Sequence, residues 1–260
     1  MSEPVPAALV AFAAELADAS GVVIRRYFRQ GLEIITKPDQ SPVTVADHET
    51  ETAIRTLITA RHPSHGVIGE EHDDHAPGAE WVWVLDPIDG TKGFISGRPL
   101  FGTLIALCRE GRPVLGVIDH PALGERWAGA HGHPTRFNGR EVRTRSCAEL
   151  GKASLFASSP HMFQGAAAPA FERVRTRCRQ VLYGSDCYHY GILASGFGDL
   201  VVESGMGIYD YLAAVPVIEG AGGVVTDWQG RPLTLSSGDQ VLAAGDRRMH
   251  EAAMKLLAEG

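Results

Sequence analysis

The sequence predicts a mixed fold, α+β in its first half and α/β in its second, on three observations. Apolar residues near the N-terminus recur at helical spacing. Between residues 100 and 137 short apolar runs follow one another through turn signals, the pattern of an antiparallel meander. From about residue 150 strand-like and helix-like runs alternate, as they do in α/β layers. We expect a boundary near 148, with halves 1–148 and 149–260; no repeat or low-complexity linker separates them, so they should share one extended interface. A hydrophobic content of 44% over 260 residues supplies an ordinary globular core.

Leu9, Phe12, Ala13, Leu16, Val23, Ile24 and Tyr27 mark an amphipathic helix. Thr44-x-x-Asp47 has the form of a capping box, and the helix it starts carries Ala53, Ile54, Leu57 and Ile58 on one face before Pro63 stops it. A short strand at 66–69 runs into Glu70-Glu71. Residues 82–85 read as a buried strand, and Pro87, which lacks a backbone donor, is expected to end its ladder. The runs 100–107 and 113–118 form a hairpin through 109–112, with further strands at 125–129 and 135–137. The second half then reads as strand 154–158, helix 171–178, strand 180–183, helix 187–195, strand 200–203, helix 209–221, strands 223–227 and 240–244, and helix 247–257.

The most informative stretch is Leu85-Asp86-Pro87-Ile88-Asp89-Gly90-Thr91-Lys92, where a buried strand delivers two carboxylates, a glycine and a hydroxyl. Gly90 and Thr91 begin a short helical turn whose unpaired N–H groups suit a phosphate, and the glycine allows close backbone approach. Glu70, Asp86, Asp89 and Asp210 all stand at strand ends or a helix start. Two carboxylates about 4 Å apart repel by roughly 4 kcal/mol at an effective dielectric near 20, so such a group requires protons or a cation. All-oxygen ligation favours Mg²⁺ or Mn²⁺ over Zn²⁺. The other reading is that each acid is a cap or a surface charge; the Asp-Pro-Ile-Asp-Gly-Thr string weighs against it.

A formal charge of −7 with no Lys/Arg block argues against nucleic acid as a partner. Glu3, Glu15 and Asp18 lie where an export signal would carry positive charge and then an uninterrupted apolar core, and no other stretch is long enough to span a bilayer, so no membrane role is expected. Cys108, Cys147, Cys178 and Cys187 show no C-x-x-C pairing, which fits a reducing cytoplasm. His72, His75, His131 and His133 lack complementary ligands at zinc spacing and read as surface histidines. Gly220-Ala221-Gly222-Gly223 lacks the context of a dinucleotide loop, and neither a Walker A loop nor a G-x-S-x-G elbow occurs.

Gly69-Glu70-Glu71, the Asp86 to Thr91 hexapeptide, Tyr209-Asp210 with Ala213-Ala214, and Glu219-Gly220-Ala221-Gly222-Gly223 together resemble the inositol monophosphatase family over nearly the whole chain. The resemblance implies a layered α-β-α-β-α sugar-phosphatase fold, a homodimer, and Mg²⁺-dependent, lithium-inhibited hydrolysis of a small phosphate monoester. Carried across, Glu70, Asp86 and the Ile88 carbonyl would hold one Mg²⁺, and Asp86, Asp89 and Asp210 a second, with a third beside Glu70. Glu70 and Thr91 would orient the attacking water, and Asp47 would hydrogen-bond Thr91.

Lys92 after Thr91, the run 94–104, and Tyr183-Gly184-Ser185-Asp186-Cys187-Tyr188 are most similar to the bacterial histidinol-phosphatase branch, implying L-histidinol phosphate as substrate and a place in histidine biosynthesis. Inositol 1-phosphate and 3′-phosphoadenosine 5′-phosphate stand as alternatives, as does a regulatory binding protein on the same fold. Asp89, Gly90, Thr91, Lys92, Asp186, Glu203 and Asp210 are the candidate substrate contacts. Among them Glu203 and Asp186 would receive the amine or imidazolium of the leaving group. Asp186 reads equally as a helix cap, and Lys92 as a solvated charge.

Overall fold

The computed structural model describes residues 3–36 and 42–259. The first half comprises α1 (Ala7–Tyr27), β1 (Ile34–Thr36), β2 (Pro42–Thr44), α2 (Val45–Arg61), β3 (Gly66–Gly69), β4 (Trp81–Asp89), α3 (Thr91–Ile95), β5 (Gly102–Arg109), β6 (Arg112–His120), β7 (Glu125–Ala130), β8 (His133–Phe137) and β9 (Arg140–Glu141). The second comprises β10 (Ser154–Ala157), α4 (Ala167–Arg175), β11 (Gln180–Tyr183), α5 (Tyr188–Ala194), β12 (Leu200–Glu203), α6 (Ile208–Tyr211), α7 (Ala214–Gly220), β13 (Val224–Thr226), β14 (Val241–Ala244) and α8 (Arg247–Ala258).

Strands β3 to β9 form a seven-stranded sheet in chain order, with β3 and β4 parallel and all later pairs antiparallel. A second sheet of five strands has the order β11-β10-β12-β14-β13. In β4 successive side chains point to opposite faces, and both faces are buried. Trp83 and Leu85 pack beneath Leu9, Phe12, Leu16, Ile54 and Ile58 of α1 and α2. Val82 and Val84 face Tyr190 and Leu193 of α5, Val217 and Ile218 of α7, and Val201 and Val241 of the second sheet. The far side of that sheet, Leu155, Val202 and Leu242, is covered by Phe171 and Val174 of α4 and Met249 and Leu257 of α8. The layers therefore run α-β-α-β-α. Helix α1 is long and apolar enough by length and composition to cross a membrane, yet Phe12, Ala13 and Leu16 are buried in this core.

Two glycines allow the central helices to lie close to the first sheet. A Cβ on Gly116 of β6 would come 1.9 Å from the Ala213 carbonyl oxygen, and one on Gly129 of β7 would come 2.4 Å from that of Pro216. Backbone rather than side chain thus meets the sheet here.

Three expectations need correction. The helix expected over 209–221 is broken into α6 and α7 at Leu212-Ala213. A continuous helix would need an N–H at position 216; a new start places Pro216 in a first turn, where no intrahelical acceptor awaits it. Pro169 likewise sits in the first turn of α4, which begins earlier and ends earlier than the expected 171–178. Pro87 does not end its strand. Asp86 pairs with Leu104 and Asp89 with Gly102, so the ladder continues past a bulge that absorbs the proline. Thr103 Oγ1 donates to the Pro87 carbonyl at 2.9 Å and closes this irregular stretch.

Candidate metal centre and active site

The bulge fixes the site. By offsetting one strand against the other it turns Asp86 and Asp89 toward the same end of the sheet, where Gly90 adopts a left-handed conformation (φ +79°) and starts α3. Asp210 arrives from α6, braced by the Gly207 N–H donating to its Oδ2 at 2.6 Å. One ligand atom each from Asp86, Asp89 and Asp210 lie within 4.8 Å of one another. Glu70 enters from the end of β3, where its backbone N–H donates to the Leu85 carbonyl at 3.2 Å.

The electrostatics follow from this crowding. Burial, and then the charges of Glu70, Asp89 and Asp210, hold the Asp86 carboxyl well above the usual range. Asp89 is raised for the same first reason and by Asp186 and Asp210. Asp210 is pushed up to about 7, chiefly by burial, against the lowering effect of the Gly207 N–H. Asp86 Oδ1 is buried with no hydrogen-bond partner. An unpartnered carboxylate oxygen among like charges fits a hard divalent cation, which would take the place of the protons.

Several expected contacts differ in the structure. Asp47 forms the expected capping box, its Oδ2 accepting the Thr44 N–H at 2.8 Å and the Thr44 hydroxyl at 2.7 Å. It does not bond Thr91, whose Oγ1 donates instead to the Ile88 carbonyl at 3.0 Å. Glu203 does not face a ligand. It is fully buried at the end of β12, with Oε1 accepting from the Ser158 N–H at 3.0 Å and the Ser158 hydroxyl at 2.5 Å, and Oε2 accepting from Tyr190 at 2.5 Å. Burial alone would raise its carboxyl; His189, 3.4 Å from Oε2, and these donors outweigh that and lower it. An acid so committed is structural, which corrects its assignment as a direct contact.

Asp186 does not cap α5: Cys187 is the N-cap residue and makes no side-chain cap bond. Asp186 sits at φ +44° with its carboxylate against Gly90, so close that a Cβ there would lie 2.9 Å from Oδ2. Burial raises it, while His189, Arg98 and Lys92 act in the opposite sense. Lys92 is exposed on α3 near this rim. Sequence reasoning did not find the groups behind the front line: the Cys187 N–H on Asp89, and Ser158 and Tyr190 on Glu203. Their partners lie far away in the chain, and no local spacing signals them.

The model of the inositol monophosphatase family matches residues 6–260. The chain is 51% identical over 251 residues to the bifunctional phosphatase IMPL2, chloroplastic, of Arabidopsis thaliana, covering 93% of this chain and 72% of that protein. It is 36% identical over 236 residues to a histidinol-phosphatase of Chlorobaculum parvum, covering 90% of this chain and 91% of that one. A solved inositol monophosphatase from Zymomonas mobilis superposes with a TM-score of 0.89 at 47% identity, over 96% of this chain and 97% of the other. The chain belongs to the inositol monophosphatase family.

Proposed function

We propose that the protein is a Mg²⁺-dependent phosphate monoester hydrolase acting on L-histidinol phosphate. The observation that carries the hydrolase reading is the cluster of buried Asp86 with half-buried Asp89 and Asp210, carrying an unpartnered oxygen, beside the Gly90-Thr91 turn. Histidinol phosphate is supported by the likeness to histidinol-phosphatases and by the Asp186 carboxylate at the rim.

Asp86, Asp89 and Asp210 would hold one ion, and Glu70, Asp86 and the Ile88 carbonyl another, with a third beside Glu70 by the family resemblance. When bound, Mg²⁺ supplies an acidified water and neutralises charge on the leaving alkoxide. The chain's own groups do the rest. The Gly90 and Thr91 N–H groups bind the phosphate oxygens, and Lys92 adds positive charge beside them. Thr91 Oγ1 has its proton committed to Ile88, so it presents lone pairs to a proton of the attacking water, while Glu70 accepts the other. Asp186 receives the ammonium or imidazolium of the alcohol.

The test is phosphate release from L-histidinol phosphate, inositol 1-phosphate and 3′-phosphoadenosine 5′-phosphate, with Mg²⁺ and with EDTA. The reading expects kcat/KM for histidinol phosphate roughly a hundredfold above the others, abolished by EDTA. Faster turnover of inositol 1-phosphate, which the likeness to the Zymomonas mobilis enzyme favours, would replace it. No release from any ester would remove the hydrolase reading.

A further inference from the structure

Glu51 lies on α2, on none of the motifs discussed above, and is fully buried. A buried carboxylate has to be matched by partners, and those of Glu51 all belong to its own helix or to the segment carrying Glu70. Its Oε2 accepts the Glu71 N–H at 2.8 Å. Its Oε1 accepts from Arg55 Nε at 2.6 Å, one turn further along. Arg55 in turn donates from Nη2 to the His72 carbonyl at 3.1 Å. The two side chains grip the backbone on the C-terminal side of Glu70 at two successive points.

Gly69, on the other side of Glu70, completes the arrangement: a Cβ there would stand 2.0 Å from Glu51 Oε1 and 2.7 Å from Arg55 Nη2. The strand end therefore lies directly on the ion pair. Among the described residues, β3 is an outer strand of its sheet, held by β4 on one side and by a lone bridge from Val67 to His75 on the other. Glu70 leaves it with its own N–H on the Leu85 carbonyl, and the segment that follows is tied to α2, by Glu51 at Glu71 and by Arg55, Thr52 and His48 at His72.

We infer that Glu51, braced by Arg55, is a positioning residue that sets the backbone of 69–72 and thereby aims the Glu70 carboxylate at the Asp86 cluster. This rests on the metal-phosphatase reading of that cluster. Glu51 touches neither cation nor substrate; it acts through Glu70. Gln at 51 keeps the size and one acceptor but lacks the charge that fixes Arg55.

Glu51→Gln, Arg55→Ala, Glu70→Gln and the Glu51→Gln/Glu70→Gln double variant would be compared with wild type by backbone amide exchange without metal, by Mn²⁺ titration calorimetry, and by Mg²⁺ activation of phosphate release. Glu51→Gln should speed exchange across 70–73, weaken Mn²⁺ binding roughly tenfold, and raise the Mg²⁺ needed for half activation by a similar factor. The double variant should bind Mn²⁺ no worse than Glu70→Gln alone, because the effect passes through that side chain. Arg55→Ala should show the same pattern, more weakly, and serves if Glu51→Gln does not fold. Unchanged exchange at 70–73 in a folded variant, or a loss of Mn²⁺ affinity that adds to that of Glu70→Gln, overturns the inference. If wild type binds no Mn²⁺, the metal reading itself fails and the positioning role falls with it, an outcome the exchange data keep distinct from failure of the grip.

Discussion

Cys187 donates its backbone N–H to Asp89 Oδ2 at 2.6 Å, so the loop before α5 of the second half holds an acid of the first half in its orientation. The bond is to backbone; the Cys187 thiol lies beside the same carboxylate and is pushed up by burial and by the Asp89 charge. Asp89→Asn can keep this bond through its amide oxygen. It should therefore stay folded and, without metal, melt at or above the wild-type temperature, because one like charge has left the cluster. With Mg²⁺, turnover should fall on the order of 10²-fold or more, the scale of losing part of a cation's charge stabilisation. Parallel melting curves and phosphate-release kinetics check both halves of this expectation.

Asp210 gives the metal-free protein a defined pH dependence. The unfolded carboxyl loses its proton near 3.8, whereas the folded one holds it up to about 7, so between those values the folded state binds the extra proton. Stability contributed by this group is present at low pH and declines as pH rises toward 7. Buried His120, lowered to about 4, has the opposite slope below its ordinary 6.5. The difference in melting temperature between wild type and Asp210→Asn, taken in EDTA over the mildly acidic range, isolates Asp210: the wild type should lose ground as pH rises. Saturating Mg²⁺ should flatten that difference, because the ion takes the proton's place.

Asp186→Asn tests substrate choice. Asn tolerates φ +44° as Asp does, so stability should be unaffected. Loss of a charge-assisted hydrogen bond, about 1.5–3 kcal/mol, should raise KM for histidinol phosphate at least roughly tenfold and leave that for inositol 1-phosphate unchanged. Equal KM changes for both esters would take the ammonium-binding role away from Asp186.

Tyr190→Phe tests the structural role of Glu203. Removing the hydroxyl leaves Oε2 buried with only His189 nearby, at a cost of about 1–3 kcal/mol. Chemical denaturation should report that loss, while kcat/KM for the preferred ester changes little. A large kinetic effect without destabilisation would return Glu203 to the substrate.

The clustered acids were legible in the sequence where they are announced locally: Asp86 by the buried strand before it, Asp89 by that strand and Pro87, and Glu70 by the glycine before it. The capping box at Thr44 was visible for the same reason. Glu203 was misread because its position at a strand end says nothing of which way its carboxylate turns; Ser158 and Tyr190, brought in from other elements, decide that. Thr91 was expected on Asp47 and lies on Ile88, three residues back, because the bulged strand presents that carbonyl first. The break at Leu212-Ala213 was readable in principle from Pro216, whose missing donor an unbroken helix could not accommodate.

The close approach of Ala213 and Pro216 to Gly116 and Gly129 has a consequence for synthesis of the chain. Asp86 and Asp89 leave the ribosome early, but Asp210 follows only after the whole meander and strands β10, β11 and β12. Until α6 and α7 settle on those bare glycine positions, a nascent chain presents an incomplete set of acids. On the metal-phosphatase reading proposed for this site, capture of an ion would be one of the last events of maturation, and free divalent cation would select finished molecules over partly made ones.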